Sequence, residues 1–222
     1  MKLAIIGYGK MGQAVAKVAL ENGWSIVAKV KKDDAWDPED WGADIVFEST
    51  RPESAVDNAL RCIQAGLPVV IGTTGWHLRL PELENSGGVI FYATNFSIGI
   101  HLLNHISKYM TRVMTKFSDY TVSIKEEHHK QKLDSPSGTA LTLSEVVKAE
   151  GVDKEIEISA SRKDDIIGMH KLCWDSNVDK LVLQHVAISR RGFALGAFRA
   201  LNWLLEKDSG VFTMNDLISE IK

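Results

Sequence analysis

A glycine run placed between a strand and a helix constrains this chain more than any other feature. Lys2–Ile6 is a short apolar run that reads as a buried strand, and it stops at Gly7-Tyr8-Gly9-Lys10-Met11-Gly12, a G-x-G-x-x-G. Met11, Val15, Val18 and Asn22 then follow at helical spacing, with Gly23 where a helix C-cap belongs. Strand, glycine turn and helix in that order describe a phosphate cradle. Gly7 allows the tight turn, Gly9 lets backbone N–H groups approach a pyrophosphate, and Gly12 lets the helix pack close to the strand. Three glycines that merely turn the chain are the plainer alternative. The position at the first strand-to-helix junction favours the cradle.

The pattern repeats as a parallel α/β unit should. Strands are expected at Ser25–Val30, Ile45–Phe47, Pro68–Ile71 and Val89–Ala93, with a helix over Glu53–Ala65 closed by Gly66. Alternation of this kind implies a doubly wound sheet, which binds ligands beyond the carboxyl ends of its strands. Three of those ends carry small polar runs: Glu48-Ser49-Thr50-Arg51-Pro52, Gly72-Thr73-Thr74-Gly75 and Thr94-Asn95-Phe96. Beyond the second strand the chain reads Val30-Lys31-Lys32-Asp33-Asp34. An NAD-selective site offers an acidic residue to the ribose hydroxyls near this point, whereas lysines suit a 2′-phosphate. NADPH is therefore expected to be accepted, and Asp33 or Asp34 leaves NADH open. A solvated charged turn is the bland alternative.

Composition sets the outer bounds. With 222 residues, 45% hydrophobic and 25% charged, the chain can bury a sizeable core, and its net charge of −3 gives no surplus to pull it onto nucleic acid or an anionic membrane. Cys62 and Cys173 show neither C-x-x-C spacing nor a metal pattern, which fits a reducing compartment. Leu3–Ile6 is too short for a signal peptide. Gly87–Ser107 lacks Asp, Glu, Lys and Arg, but its Asn and His residues make it costly in lipid. A soluble cytoplasmic protein is expected.

Past Phe96 the rhythm changes. Ser97–Met110 reads as a helix, and longer alternating stretches follow around Tyr120–Lys125, Ile156–Ala160 and Leu181–His185. These suggest a second domain with an open mixed or antiparallel sheet, after which Arg190–Lys207 packs back on the first. The expected division is residues 1–96 for dinucleotide binding, with C-terminal helices over 191–222, and residues 97–190 for substrate binding and oligomerisation.

The first alternating stretch runs into Glu126-Glu127-His128-His129-Lys130-Gln131-Lys132-Leu133-Asp134-Ser135-Pro136-Ser137-Gly138-Thr139-Ala140. Two histidines and two lysines make a positive cluster in an otherwise acidic chain. Ser137-Gly138-Thr139 opens a helix whose N–H groups, partial positive charge and hydroxyls converge on an anion. His transfers protons near neutral pH, and Lys neutralises a carboxylate. A metal site is disfavoured, because adjacent histidines on a strand point to opposite faces and no third ligand stands at metal-binding spacing. A bland basic loop capped by Ser137 would account for the serine but not for the histidine–lysine run.

These residues resemble the 4-hydroxy-tetrahydrodipicolinate (dihydrodipicolinate) reductase family of lysine and diaminopimelate biosynthesis. The resemblance spans nearly the whole chain. Its most specific part is E-x-H-H-x-x-K-x-D-x-P-S-G-T-A from Glu126 to Ala140, supported by Gly72-Thr73-Thr74-Gly75, Asn95-Phe96-Ser97-Ile98-Gly99 and Ser189-Arg190-Arg191-Gly192-Phe193-Ala194. The resemblance implies that His128 and Lys132 are catalytic proton carriers and that His129, Ser137, Gly138 and Thr139 meet the substrate. Arg190 falls at a motif position near the interdomain hinge. Implied cofactor contacts are Gly7, Tyr8, Gly9, Lys10, Met11, Gly12, Lys31, Gly72, Thr73, Thr74, Ala93, Thr94, Asn95 and Phe96, for NADPH or NADH. The implied partners are a small dicarboxylate substrate and three further copies of the chain, in a homotetramer, with no metal. Hydride would reach ring carbon 4 and a proton ring carbon 3, with domain closure joining the two sites. Two departures stand out. Many members carry a glycine run one residue longer, which bears on individual glycine contacts, and Asp33–Asp44 is shorter than in longer members. Another two-domain nicotinamide dehydrogenase, for instance one acting on an amino acid, would share the glycine run but has no reason for the His–Lys run. A dinucleotide-sensing regulatory module would normally bring a DNA-reading segment, and none is evident.

Overall fold

A computed structural model describes residues 1–163 and 166–220. The chain divides into two compact units, Met1–Ile98 with Arg191–Lys222, and Gly99–Arg190. The first unit is a six-stranded sheet of β1 (Lys2–Ile6), β2 (Ser25–Val30), β3 (Ile45–Glu48), β4 (Val69–Ile71), β5 (Val89–Tyr92) and β10 (Gly210–Thr213). Their order is β10-β5-β4-β3-β1-β2, and every pair is parallel. This is the Rossmann-like sheet expected.

Side chains alternate across each strand, so both faces need cover. Leu3 and Ile5 join Phe47, Val70 and Phe91 in one core, closed by Val15 and Val18 of α1 (Lys10–Glu21) and by Ala197 and Leu201 of α6 (Arg191–Leu204). Ala4 and Ile6 face the other core with Val46, Val69 and Ile90, closed by Val56 and Ala59 of α2 (Pro52–Gln64) and by Leu83 of α3 (Leu80–Glu84). Burial on both faces explains why these strands read as unbroken apolar runs rather than as alternation.

The C-terminal segment corrects the expectation of helices alone. After α6 the chain forms β10, which pairs with β5 through Val211↔Ile90 and Phe212↔Phe91 before entering α7 (Met214–Ser219). A four-residue strand is too short to display a period. Residues 221 and 222 of the expected helical range lie outside the described residues.

The second unit carries α4 (Ile98–Met114, its first residue on the boundary), α5 (Gly138–Ala149) and a sheet of β6 (Thr121–His128), β7 (Glu157–Arg162), β8 (Gly168–Asp175) and β9 (Lys180–Ala187) in the order β7-β6-β8-β9. β6 and β7 run parallel and the other pairs antiparallel, so the sheet is mixed. Ile124, Leu172 and Trp174 pack with Leu103 of α4 and with Leu143 and Val147 of α5. β8 was not expected, because His170 and Lys171 interrupt its apolar pattern, although His170, Leu172 and Trp174 are all buried. Among the described residues no helix is long and apolar enough to cross a membrane.

The packing of α6 gives a test within one helix. A Cβ on Gly196 would stand 1.8 Å from the carbonyl oxygen of Phe96, whereas one on Gly192 meets nothing within 4 Å. Gly196→Ala is expected to destabilise by about 2–3 kcal/mol through overpacking. Gly192→Ala should stabilise by up to about 1 kcal/mol through helix propensity. Denaturant midpoints of the two variants should therefore move in opposite directions.

Candidate active site

In the first unit, β2 and β3 flank β1 on opposite sides, so the ends of these strands form the switch point of the sheet. A cleft of about 960 Å³ opens there, lined among others by Gly7, Tyr8, Gly9, Lys31, Lys32, Thr50, Arg51 and Asn58. Gly7 has φ +90°, and a Cβ on it would lie 2.1 Å from the carbonyl oxygen of Ser49. Gly12 packs helix on strand, since its Cβ would lie 2.3 Å from the carbonyl oxygen of Gly7. Gly9 begins α1 with open space around it and with no side-chain cap on the first N–H groups. An uncapped helix start beside three exposed cations suits a pyrophosphate and a further phosphate. The residues present therefore fit a dinucleotide. The Asp34 carboxylate already accepts the Lys31 N–H at 2.7 Å, which commits it to the turn.

Not every expected cofactor residue reaches this cleft. Lys10, Met11, Gly12, Gly72, Thr73, Thr74, Ala93, Thr94, Asn95 and Phe96 lie outside its lining. The Phe96 ring is core, edge-on to Phe47 at 6.2 Å between centroids, and Ala93 is buried beside it. Thr73 accepts the Thr50 N–H at 2.7 Å and is buried. Sequence reasoning left out Arg51 and Asn58, although the polar run after β3 contains the arginine. Asn58 reaches toward the fully buried Glu48, whose carboxyl is pushed up by burial against hydrogen bonds from Thr50, Thr73 and Asn58.

In the second unit the conspicuous group is Glu126, 1% exposed on β6. Its Oε1 accepts the Ser137 N–H and Arg162 Nη2, each at 3.1 Å, and its Oε2 accepts the Ser137 hydroxyl. Oε2 also lies 3.4 Å from Nδ1 of His128 and 3.7 Å from Nε2 of His170. Burial pushes the Glu126 carboxyl up. The hydrogen bonds from Ser137 and Arg162 and the nearby His128 outweigh burial and hold it below the usual range. His128, 6% exposed, is pulled down chiefly by burial, with Glu126 opposing and Lys132 and Arg162 adding to the shift. His170, directly opposite Glu126 in the β6–β8 register, is pushed down to about 4, again chiefly by burial.

Lys132 is less enclosed. Its Nζ donates to both oxygens of Asp134, at 2.7 and 2.9 Å. His129 sits beside Arg190, with Nε2 and Nη2 3.3 Å apart. Of the expected substrate residues, Gly138 is exposed and Thr139 half-buried. Ser137, also expected to meet the substrate, is 1% exposed, and its hydroxyl is engaged by Glu126, by the Ala140 N–H at 3.2 Å and beside His170 at 3.2 Å. It caps α5 and anchors Glu126, and offers no free donor.

The spacing argument against a third metal-ligand residue also needs amending. Glu126, His128 and His170 place ligand-type atoms within 4.8 Å of one another, the third arriving from the unforeseen β8. Arg162 already supplies the cation at that carboxylate. Arg162 and His170 were both missed, since their partners stand 36 and 44 residues away in the sequence and no local pattern announces them.

The model of the dihydrodipicolinate reductase N-terminus matches residues 1–96, and that of the C-terminus residues 99–218. The chain belongs to the dihydrodipicolinate reductase family. It is thus an NAD(P)H-dependent oxidoreductase. A 4-hydroxy-tetrahydrodipicolinate reductase of Christiangramia forsetii is 35% identical, with 100% of this chain and 99% of that one covered. Another from Thermosipho africanus is 30% identical, covering 99% of each. A dipicolinate-bound dihydrodipicolinate reductase from Paenisporosarcina sp. TG-14 shares the fold, with a TM-score of 0.80 at 23% identity over 98% of this chain and 99% of that one.

The buried His170 predicts an acid-sensitive fold. Its proton affinity is lower folded than unfolded, so between about 6.5 and about 4 the unfolded chain binds more protons. Stability should fall as pH drops through that window, by roughly 3 kcal/mol at most if the whole shift is realised. Denaturant unfolding at several pH values should show a shallower slope for His170→Gln than for the parent. Equal slopes would remove His170 as the source.

Proposed function

We propose that the chain reduces 4-hydroxy-tetrahydrodipicolinate to tetrahydrodipicolinate with Lys132 and His128 as proton carriers. The observation that carries this reading is that Glu126 faces His128 and also anchors Ser137 at the start of α5, with the charge of Lys132 close enough to act on the His128 ring, in a chain of this family. Dipicolinate, bound in the Paenisporosarcina relative, is a planar dicarboxylate, which supports a dicarboxylate as the substrate class.

The ring loses its 4-hydroxyl as water to give a conjugated diene-imine. Gly7–Gly12, with Lys31, Lys32 and Arg51 for the phosphates, would hold the dinucleotide, which would supply the hydride that ring carbon 4 then takes up. The remaining work falls on the second unit. A substrate carboxylate takes over the place of Asp134 at the Lys132 ammonium, with the Gly138 amide and the Thr139 hydroxyl at the start of α5 as further donors. Replacing Asp134 costs little, because its side chain is 54% exposed and an exposed ion pair contributes about 0–1 kcal/mol. His129 and Arg190 orient the ring. Negative charge developing across the enamine–imine system is stabilised by Lys132, which delivers the proton to ring carbon 3. His128 beside it takes a proton from solvent on Nε2 and passes it on, which returns the lysine to its charged form.

Assembly through the second unit as a homotetramer is supported by exposed apolar side chains on and next to β9, namely Leu181, Val182, Val186 and Ile188. A light-scattering mass of four chains is the expected outcome, and a monomer would end that reading.

Oxidation of NADPH or NADH with freshly made product of dihydrodipicolinate synthase tests the reaction itself. Within it, Lys132→Ala should lower turnover by roughly 100- to 10,000-fold, the range of general acid catalysis, while nucleotide binding holds. Lys130→Ala, two residues away and exposed, should change turnover by a few-fold at most. Comparable losses in both variants would take Lys132 out of the chemistry.

A further inference from the structure

We infer that Glu126 is a positioning residue, a buried carboxylate that keeps a proton on Nδ1 of His128 and so turns Nε2 into the working atom of the ring. The inference rests on the proposed reductase reading for its kinetic part only.

Glu126 and His128 lie two residues apart on β6, so their side chains leave the same face of the strand. Both are buried, and Oε2 of the carboxylate stands 3.4 Å from Nδ1 of the ring. An ionised carboxylate only accepts hydrogen bonds, so the ring nitrogen facing it is stable only as N–H. At 3.4 Å no hydrogen bond is yet closed and the buried Nδ1 has no other partner among the described residues, in keeping with catalytic hydrogen bonds that tighten only when substrate is bound.

The carboxylate cannot swing away to a different partner. Ser137 holds it through its amide and its hydroxyl, and Arg162 holds it through Nη2. The same guanidinium donates to the carbonyl oxygen of Asp134 and, through Nε at 3.4 Å, to that of Lys132. Glu126 therefore sets the imidazole directly and the loop bearing Lys132 through Arg162. Both proton carriers are referred to one buried anion.

The groups that face His128 are Glu126 on its own strand, Arg162 on β7, His170 on β8, and Lys132 and Asp134 in the following loop. Asp134 is exposed and paired with Lys132, and His170 stays neutral near pH 7 because burial pushes it down to about 4. Glu126 is thus the one fully buried anion facing the ring among the described residues. A cation bound by Glu126, His128 and His170 is the rival arrangement. It would have to enter beside Arg162, 3.1 Å from the same carboxylate, and would compete for that carboxylate with the ring N–H that faces it.

Nitrogen-15 NMR of the histidine-labelled full chain, with His128 assigned by loss of its signals in His128→Gln, tests the tautomer without any substrate. The expected result is Nδ1–H for neutral His128. An Nε2–H ring in the parent protein would overturn the inference, even if every Glu126 variant failed to fold. Kinetics supply the second arm. Glu126→Gln should lower kcat at least about tenfold, part of what general acid–base groups contribute, with the KM for nucleotide little changed. The pH limb reporting His128 should move to lower pH, because an influence that raises its proton affinity has gone. Glu127→Gln, on the other face of the strand and paired with Lys163 at 2.7 Å, should leave both unchanged. Unchanged kcat and an unmoved limb in a folded Glu126→Gln would overturn the inference. A parent protein with no reductase activity but with the Nδ1–H tautomer would instead sink the functional reading and leave the placement of the proton intact.

Discussion

The arrangement of the second unit depends on the ion pair between Glu126 and Arg162. The carboxylate is completely removed from solvent, so its charge must be met at close range or it would not persist. Three donors and two imidazoles surround it, and they arrive from β7, β8, the start of α5 and the end of β6 itself. Such a pair need not add net stability, since desolvation offsets the attraction. Removing one partner is another matter, typically costing about 3–5 kcal/mol. Its consequence here is geometric. With Glu126 satisfied in only one arrangement, the strand that ends in His128 and the helix that begins at Ser137 share a single anchor, and the loop between them carries Lys132.

The first unit solves a different problem with opposite means. Its sheet is covered on both faces, so it can present function only at strand ends and in the loops that leave them. Gly7 and Gly12 make the close approach of turn, strand and helix possible, and the uncapped start of α1 is left for a ligand. Lys31, Lys32 and Arg51 bring cations to a cleft that also carries Asp33, Asp34 and Glu53, so where each charge stands, and not a net charge of the cleft or of the chain, decides how it meets phosphates. Local field, not overall charge, is what an anionic cofactor meets. The Asp34 carboxylate, bonded to the Lys31 amide, holds the turn in place rather than competing for the ribose.

What could be read in the sequence follows from how local each signal is. The strand, glycine turn and α1 occupy one continuous stretch, and the periods of their side chains are unbroken, so they were legible. The same holds for the His–Lys run and the helix opened by Ser137. β8 and β10 were not, one because His170 sits at a core position and the other because four residues carry no period. Ser137 was assigned to the substrate because an N-terminal serine before a helix looks alike whether it faces a ligand or a buried glutamate. Only the register Glu126↔His170 and His128↔Arg162 shows which, and register between distant strands is not written locally. Asp134 escaped notice because its carboxylate matters as the present occupant of the lysine, a relation visible only in three dimensions.

The charges of the site form a graded series from interior to surface. Glu126 is buried and anionic, His128 is buried and held toward neutrality chiefly by burial, Lys132 is partly exposed and cationic, and Asp134 is exposed and anionic. Proton transfer is cheapest to arrange where a charge need not be created in the dry interior. A lysine with one quarter of its side chain exposed can hold its charge between turnovers at little cost, which His128 at 6% exposure cannot. The imidazole, neutral at rest with its inner nitrogen protonated and backed by an anion, is in turn suited to take a proton from solvent on its outer nitrogen and pass it to a lysine that has just given one up. The division of labour between the two proton carriers thus follows from depth of burial. The residue that makes the deeper one usable is the carboxylate beneath it.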